Sequence, residues 1–101
     1  MKDEDEAVTR GSGNVFKDIG FSDEEAESLL IRAQLLSELE DLIKSSGMSQ
    51  RQLAKVLKVQ QPRISEIVKG RLELFSADLL MRLLNRFGKR VRISIHDKRA
   101  A

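Results

Sequence analysis

The sequence predicts an all-α domain, a small helical bundle that ends in one short β-strand. Leucine and isoleucine recur at helical spacing in four separate stretches between residues 22 and 87. Residues 90–95 then alternate polar with apolar side chains, which is the period of a half-buried strand. A chain of 101 residues is long enough for one domain with a modest core, which we place at residues 14–96.

The composition excludes several classes of protein. The chain has no cysteine, so it can form no disulfide, thiolate metal site or thiol nucleophile. No apolar run approaches the roughly 20 residues of a membrane span, and the acidic N-terminus is unlike a signal peptide. We therefore expect a cytoplasmic protein that makes no membrane contact.

The N-terminal residues divide into a tail and an apolar segment. Residues 1–13 are acidic and lack apolar periodicity, so we expect a disordered acidic tail. Residues 14–21 carry two of the four phenylalanines in the chain. Two interpretations are open: an N-terminal arm whose rings cap the core, or a sticky segment that a protein partner covers. The apolar members of this segment are Val15, Phe16, Ile19 and Phe21.

A long helix is expected to follow, from Ser22 to about residue 46. Ser22 and Glu25 have the spacing of a capping box, and acidic residues fill the first turn, where the helix dipole favours them. Leucines recur along one wide stripe until Gly47 provides a stop. Such a helix is about 36 Å long at about 1.5 Å per residue, more than a core of this size can cover. Its acidic first half is expected to project or to pack on another chain.

Residues 49–70 predict two short helices joined by a tight turn, a helix-turn-helix. Ser49 and Gln52 form a second capping box, and the break falls after Leu57. Proline is tolerated in the first turn of a helix, so the second helix starts near Pro62. Gly70 can end it in a left-handed conformation.

The second of these helices buries isoleucines and leaves a polar side outward. A short helix of this kind suits insertion into a DNA major groove. An ordinary αα-hairpin with a solvated face fits the spacing equally well. The outward residues are Gln61, Pro62, Arg63, Ser65, Glu66 and Lys69.

Charge separates the two ends of the chain. Residues 1–46 hold 5 Lys or Arg and 12 Asp or Glu, a net charge of −7. Residues 47–101 hold 13 Lys or Arg and 4 Asp or Glu, a net charge of +9. The basic part contains the helix pair, as a phosphate-binding surface requires, and this coincidence favours the DNA-binding interpretation.

The last elements are a helix and the strand. Ser76 caps a helix at residues 76–87, and Gly88 ends it. A lone strand at residues 90–95 has no partner within its own chain, so we expect it to pair with the same strand of a second copy in a two-fold dimer. Residues 97–101 are expected to form a frayed tail. The dimerisation side chains would be Val91, Ile93 and Ile95.

No pattern in the sequence indicates catalysis. His96 is the only histidine and has no second ligand candidate nearby, so we expect a surface residue. The glycines near the N-terminus follow no strand and precede no suitably spaced lysine, so they do not form a phosphate-binding loop. We expect no enzyme activity, no metal and no cofactor.

The run LAKVLKVQQPRISEIVKG, residues 53–70, resembles the helix-turn-helix of the Xre/Cro-repressor family, which has a lambda-repressor-like fold. The flanks GNVFKDIGF and FSADLLMRLLNRFGKRVRISI resemble those of a compact subfamily that includes HigA-like antitoxins. Two positions depart from the family pattern. Lys58 stands where the turn glycine is usual, and Gln60 stands where a capping serine is usual.

The resemblance implies a sequence-specific transcriptional repressor with a palindromic operator. Base edges would meet Gln61, Pro62, Ser65 and Glu66, with Gln60 beside them. The DNA backbone would meet Gln50, Arg51, Arg63 and Lys69. The subfamily implies an antitoxin that represses its own operon and neutralises a small, basic, RNA-cleaving toxin. A stand-alone phage-like repressor without a toxin and a helical protein-interaction adaptor remain as alternatives.

Overall fold

The computed structural model describes residues 13–98, which form five α-helices and one 3₁₀ turn. Within this range, none of the helices combines the length and apolarity that crossing a bilayer requires. The predicted acidic tail, apart from Gly13, and the last three residues lie outside the described residues. The elements are α1 Val15–Asp18, α2 Asp23–Ser46, α3 Gln50–Leu57, α4 Gln61–Val68, the 3₁₀ turn Leu72–Leu74 and α5 Ala77–Arg86.

Both predicted capping boxes are confirmed. The Ser22 hydroxyl accepts from the Glu25 amide at 3.2 Å, and the Ser22 amide donates to Glu25 Oε1 at 3.3 Å. The Ser49 hydroxyl accepts from the Gln52 amide at 3.1 Å, and the Ser49 amide donates to Gln52 Oε1 at 2.9 Å. Each pair satisfies two amides that the first turn of a helix leaves without a backbone acceptor, so the sequence sets where α2 and α3 begin.

The hydrophobic core lies where the second half of α2 meets α3, α4 and α5. All four helices contribute fully or nearly fully buried aliphatic side chains, and one phenylalanine completes the cluster. The first half of α2 contributes none of them. The members are Leu36, Leu39, Ile43, Leu53, Leu57, Ile64, Ile67, Phe75, Leu80, Leu83 and Leu84.

The first half of α2 extends beyond this core and is covered on one side by α1. The Asn14 side chain donates to the carbonyl oxygen of Ala26 at 3.0 Å, and Ala26 is buried. The rings of Phe16 and Phe21 stand edge to face with 6.3 Å between centroids. Neither ring belongs to the core cluster, so the arm does not cap the core as one interpretation expected. It covers the projecting end of the long helix instead.

The predicted C-terminal β-strand is wrong, because residues 91–98 form neither helix nor strand and no strand occurs anywhere in residues 13–98. Alternation of polar and apolar residues gives a strand its two faces, but a ladder also needs a second extended segment with which to exchange hydrogen bonds. Residues 13–98 provide none. Only Val91 packs against the core, whereas Ile93 and Ile95 are 69% and 88% exposed. The strand on which the predicted dimer contact relied is therefore absent from the described residues.

Two isoleucines at opposite extremes of burial test this account of the core. Ile67 is 0% exposed and Ile95 is 88% exposed. Ile67→Ala is expected to lower the free energy of unfolding by about 2–5 kcal/mol, because it removes buried methyl groups and leaves a cavity. Ile95→Ala is expected to change it by less than about 0.5 kcal/mol. Urea unfolding of both variants measures the difference, and equal losses would show that residues 91–98 are buried in solution.

Candidate nucleic-acid interface

The turn between α3 and α4 is built around Lys58. Its φ of 58° and ψ of 45° are left-handed, and it is the only residue other than glycine with a positive φ in residues 13–98. The Lys58 amide donates to the Lys55 carbonyl at 3.3 Å, and the Val59 amide donates to the Ala54 carbonyl at 3.0 Å. These two bonds form a Schellman motif, which ends α3 and redirects the chain into α4. As the sequence predicted, a lysine occupies the position that usually requires glycine.

Helix α4 starts without help from a side chain. Gln60 takes the N-cap position in an extended conformation, and its side chain makes no capping hydrogen bond. Pro62 lies in the first turn, where a missing amide costs nothing. At the other end, the Gly70 and Arg71 amides donate to the Ile67 and Glu66 carbonyls at 2.9 and 3.1 Å. Backbone hydrogen bonds therefore cap the C-terminus of α4, whereas its N-terminus lacks a side-chain cap.

Two isoleucines hold α4 against the core. Ile64 and Ile67 are both 0% exposed. At about 100° per residue, Pro62, Ser65 and Lys69 point away from them. Pro62 and Lys69 are exposed, and Ser65 is partly exposed. Gln61, also exposed, and Glu66, partly exposed, lie at the two edges of the same face. The structure thus groups five of the predicted contact residues on one surface, which we call the α4 face: Gln61, Pro62, Ser65, Glu66 and Lys69.

The start of α3 adds exposed residues to the same motif. Gln50 and Arg51 lie in its first turn, and both are exposed, as is Lys55 one turn later. Residues 50–69 contain five Lys or Arg and a single carboxylate, Glu66. The helix-turn-helix therefore presents a net positive surface, which is the electrostatic requirement for contact with a polyphosphate backbone.

Arg63 is placed differently from the other predicted contact residues. It is partly buried on the flank of α4, and its Nη1 lies 3.1 Å from Glu66 Oε1 and 3.4 Å from the carbonyl oxygen of Leu74. The guanidinium carbon lies 4.7 Å from the centroid of the Phe75 ring. The predicted phosphate contact of Arg63 stays a prediction, and in the free protein its guanidinium is engaged within the chain.

Two further arginines position the motif, and neither role is predicted by the sequence. Arg32 of α2 donates from Nε to the Phe75 carbonyl and from Nη2 to the Leu72 carbonyl, both at 3.1 Å. Arg86 of α5 donates from Nη1 to the Leu57 carbonyl at the end of α3, at 3.0 Å. The one available signal was the place of Arg32 on the apolar stripe of α2, between Leu29 and Leu36.

The loop after α4 carries its own ion pair. Arg71 Nε lies 2.7 Å from Glu73 Oε2, and both side chains are more than half exposed. The hydrogen bond from Arg71 lowers the pKa of the Glu73 carboxyl, so Glu73 keeps its charge to a lower pH than an isolated glutamate. This pair leaves the net positive charge of the α3 and α4 surface unchanged.

The comparisons with known proteins agree with this geometry. A family model described as a helix-turn-helix domain matches residues 15–96. A solved structure described as an XRE family transcriptional regulator is 35% identical to this chain, with a TM-score of 0.69. That match covers 76% of this chain and 90% of the other. None of the curated proteins compared with the chain matches it. The chain belongs to the helix-turn-helix domain family and is an Xre-type, DNA-binding transcription regulator.

Proposed function

We propose that the protein recognises a specific operator by placing the α4 face in the major groove. The observation that supports this most strongly is the seating of α4: two isoleucines at 0% exposure hold a short helix whose opposite side is polar. Gln61 can pair in bidentate fashion with adenine, and Glu66 can accept from cytosine N4. Pro62 and Ser65 complete the surface that meets base edges, and Gln60 lies beside them.

The DNA backbone is proposed to meet the ends of the two helices. Lys69 lies at the end of α4, and Gln50 and Arg51 lie in the first turn of α3, where backbone amides also point outward. Such contacts fix the register of the protein on the duplex but carry no sequence information. The sequence also predicts a phosphate contact for Arg63, whose guanidinium contacts Glu66 and Leu74 in the free protein.

We further propose that two copies bind a palindromic operator. One α4 face reads only a few base pairs, so a useful specificity requires two faces on half-sites about 34 Å apart. Because residues 91–98 form no strand, this proposal assigns no surface to the contact between the copies. Sedimentation with and without a selected duplex would give the stoichiometry, and a single copy per duplex would contradict the proposal.

The projecting end of the molecule supports the narrower proposal of an antitoxin. Helix α1 and the start of α2 expose four apolar side chains amid carboxylates of the first turns of α2. An RNA-cleaving toxin must be basic to bind its substrate, so an acidic, partly apolar surface complements it. We call this surface the acidic shelf, and its apolar members are Val15, Ile19, Phe21 and Ile31.

One alternative remains as an outcome of experiment. A stand-alone repressor would use the α4 face and need no partner at the acidic shelf. A small basic protein encoded beside this one would separate an antitoxin from a lone repressor.

The phosphate contact of Lys69 predicts a change in salt dependence. Lys69→Ala is expected to weaken binding to all duplexes about equally and to reduce the slope of log affinity against log salt by about 1. Lys17→Ala is the matched control, because Lys17 lies on α1 and pairs with Asp23 at 3.3 Å. Fluorescence anisotropy over a salt series measures both slopes. A wild-type slope for Lys69→Ala would place Lys69 away from the DNA.

The base contact of Gln61 predicts a change in specificity. Gln61→Ala is expected to cost about 1–3 kcal/mol of discrimination at one base pair of each half-site. Gln34→Ala, an exposed glutamine of α2, is the control. Both are measured by competition between a duplex selected from a randomised pool and its single-base variants. Full discrimination by Gln61→Ala would refute the assignment.

The acidic shelf predicts a separation of two functions. A shelf variant combines Glu24→Gln, Glu27→Gln and Ile31→Ser. We expect it to lose two properties, co-purification with the product of an adjacent gene and the ability to rescue growth. We expect it to retain DNA binding. Glu38→Gln with Asp41→Asn, farther along α2, is the matched control and is expected to retain both. If neutralisation persists undiminished in the shelf variant, a toxin binds elsewhere or the shelf has another role.

A further inference from the structure

The Arg63 guanidinium is engaged within the chain through Nη1 and through its planar face. Its Nη1 is shared between the carboxylate of Glu66 and the carbonyl of Leu74, at 3.1 and 3.4 Å. Its planar face lies over the Phe75 ring, which is itself 1% exposed. A phosphate contact through Nη1 would require Arg63 to give up its contacts with Glu66 and Leu74. The side chain is therefore better suited to holding a neighbour than to meeting the backbone of a duplex.

The neighbour that it holds is Glu66, the only carboxylate in residues 50–69. An unpaired carboxylate on the α4 face would be repelled by the phosphates on either side of a groove. Pairing with Arg63 offsets this repulsion and fixes Oε1. Within residues 13–98, Glu66 Oε2 makes no hydrogen bond, so it can accept from a base edge. Cytosine N4 is the major-groove donor that a carboxylate accepts from.

The arginine is in turn tied to the rest of the fold. The loop that supplies Leu74 and Phe75 is also held by Arg32 of α2, which donates to the Leu72 and Phe75 carbonyls. A continuous set of contacts thus runs from α2 through this loop and Arg63 to the Glu66 carboxylate. The orientation of Glu66 is therefore set by the domain and not by one flexible side chain.

We propose that Arg63 is a positioning residue for base recognition, which orients the Glu66 carboxylate toward a base pair and does not bind phosphate. The proposal rests on the proposed function, since it requires that the α4 face reads DNA. It makes the pair Arg63 and Glu66, and not Glu66 alone, the specificity-determining unit. Loss of Arg63 then removes discrimination at the base pair that Glu66 reads and leaves discrimination elsewhere intact.

The test compares four proteins on one set of duplexes. The wild type selects a duplex from a randomised pool, and affinities are then measured for that duplex and for every single-base variant. The other three proteins are Arg63→Met, Glu66→Gln and the double variant. Methionine keeps an apolar stem over Phe75 and removes only the charged group. Arg82→Met is the matched control, because Arg82 also pairs with a carboxylate on its own helix, Asp78, at 3.1 Å.

Arg63→Met is expected to lose roughly fivefold or more of the discrimination at one base pair per half-site, the same pair at which Glu66→Gln loses it. The double variant is expected to discriminate no worse than Glu66→Gln, because both substitutions remove the same recognition of a base pair by Glu66. The salt slope of Arg63→Met is expected to equal that of the wild type. Arg82→Met is expected to keep the whole pattern, and thermal unfolding confirms that each variant is folded.

Different results overturn the proposal. If Arg63→Met loses affinity equally for all duplexes, and its slope of log affinity against log salt falls by about 1, Arg63 contacts a phosphate. If Arg63→Met and Glu66→Gln lose discrimination at two different base pairs, and the double variant loses both, the two residues act independently. If Arg63→Met does not fold, Arg63→Lys is used, which keeps the charge but lacks the planar group, and it is expected to lose part of the discrimination at the same pair. A wild type that selects no duplex would refute the proposed function itself.

Discussion

The structure depends on the burial of two isoleucines beneath the reading helix. Helix α4 has eight residues, too few to persist alone in water, and its N-cap side chain makes no hydrogen bond. Ile64 and Ile67 supply the missing stability by packing completely into the core with Leu57 and Leu80. The left-handed Lys58 sets the direction in which α4 leaves α3. The α4 face is thus rigid because of what lies under it.

Several arginines of the basic part contact other groups of the same chain. Of the 13 Lys and Arg in residues 47–101, Arg63, Arg71 and Arg82 pair with carboxylates and Arg86 donates to a backbone carbonyl. The ion pairs of Arg63, Arg71 and Arg82 each offset one of these positive charges, so the net positive charge is smaller than the count of basic residues indicates. Of the 12 Asp and Glu in residues 13–98, eight lie on α1 and α2.

Local chemistry explains which features could be predicted from the sequence. The capping boxes at Ser22 and Ser49 and the lysine in the turn depend on neighbours within four residues, and the structure shows each of them. The strand failed because pairing depends on a partner that alternation cannot supply. Arg32 and Arg63 reach partners 43 and 11 residues away, so their roles depend on the tertiary fold. The sequence predicts only an arm where α1 lies, because a helix of four residues shows no apolar period.

Amide chemical shifts of the labelled protein, recorded with and without a duplex selected from a randomised pool, test residue by residue whether the helix-turn-helix reads DNA through α4. We expect the largest changes on residues 50–52 and 60–70, with the shifts of residues 13–31 nearly unchanged. Changes concentrated on α1 and the first half of α2, with α4 unaffected, would contradict this expectation.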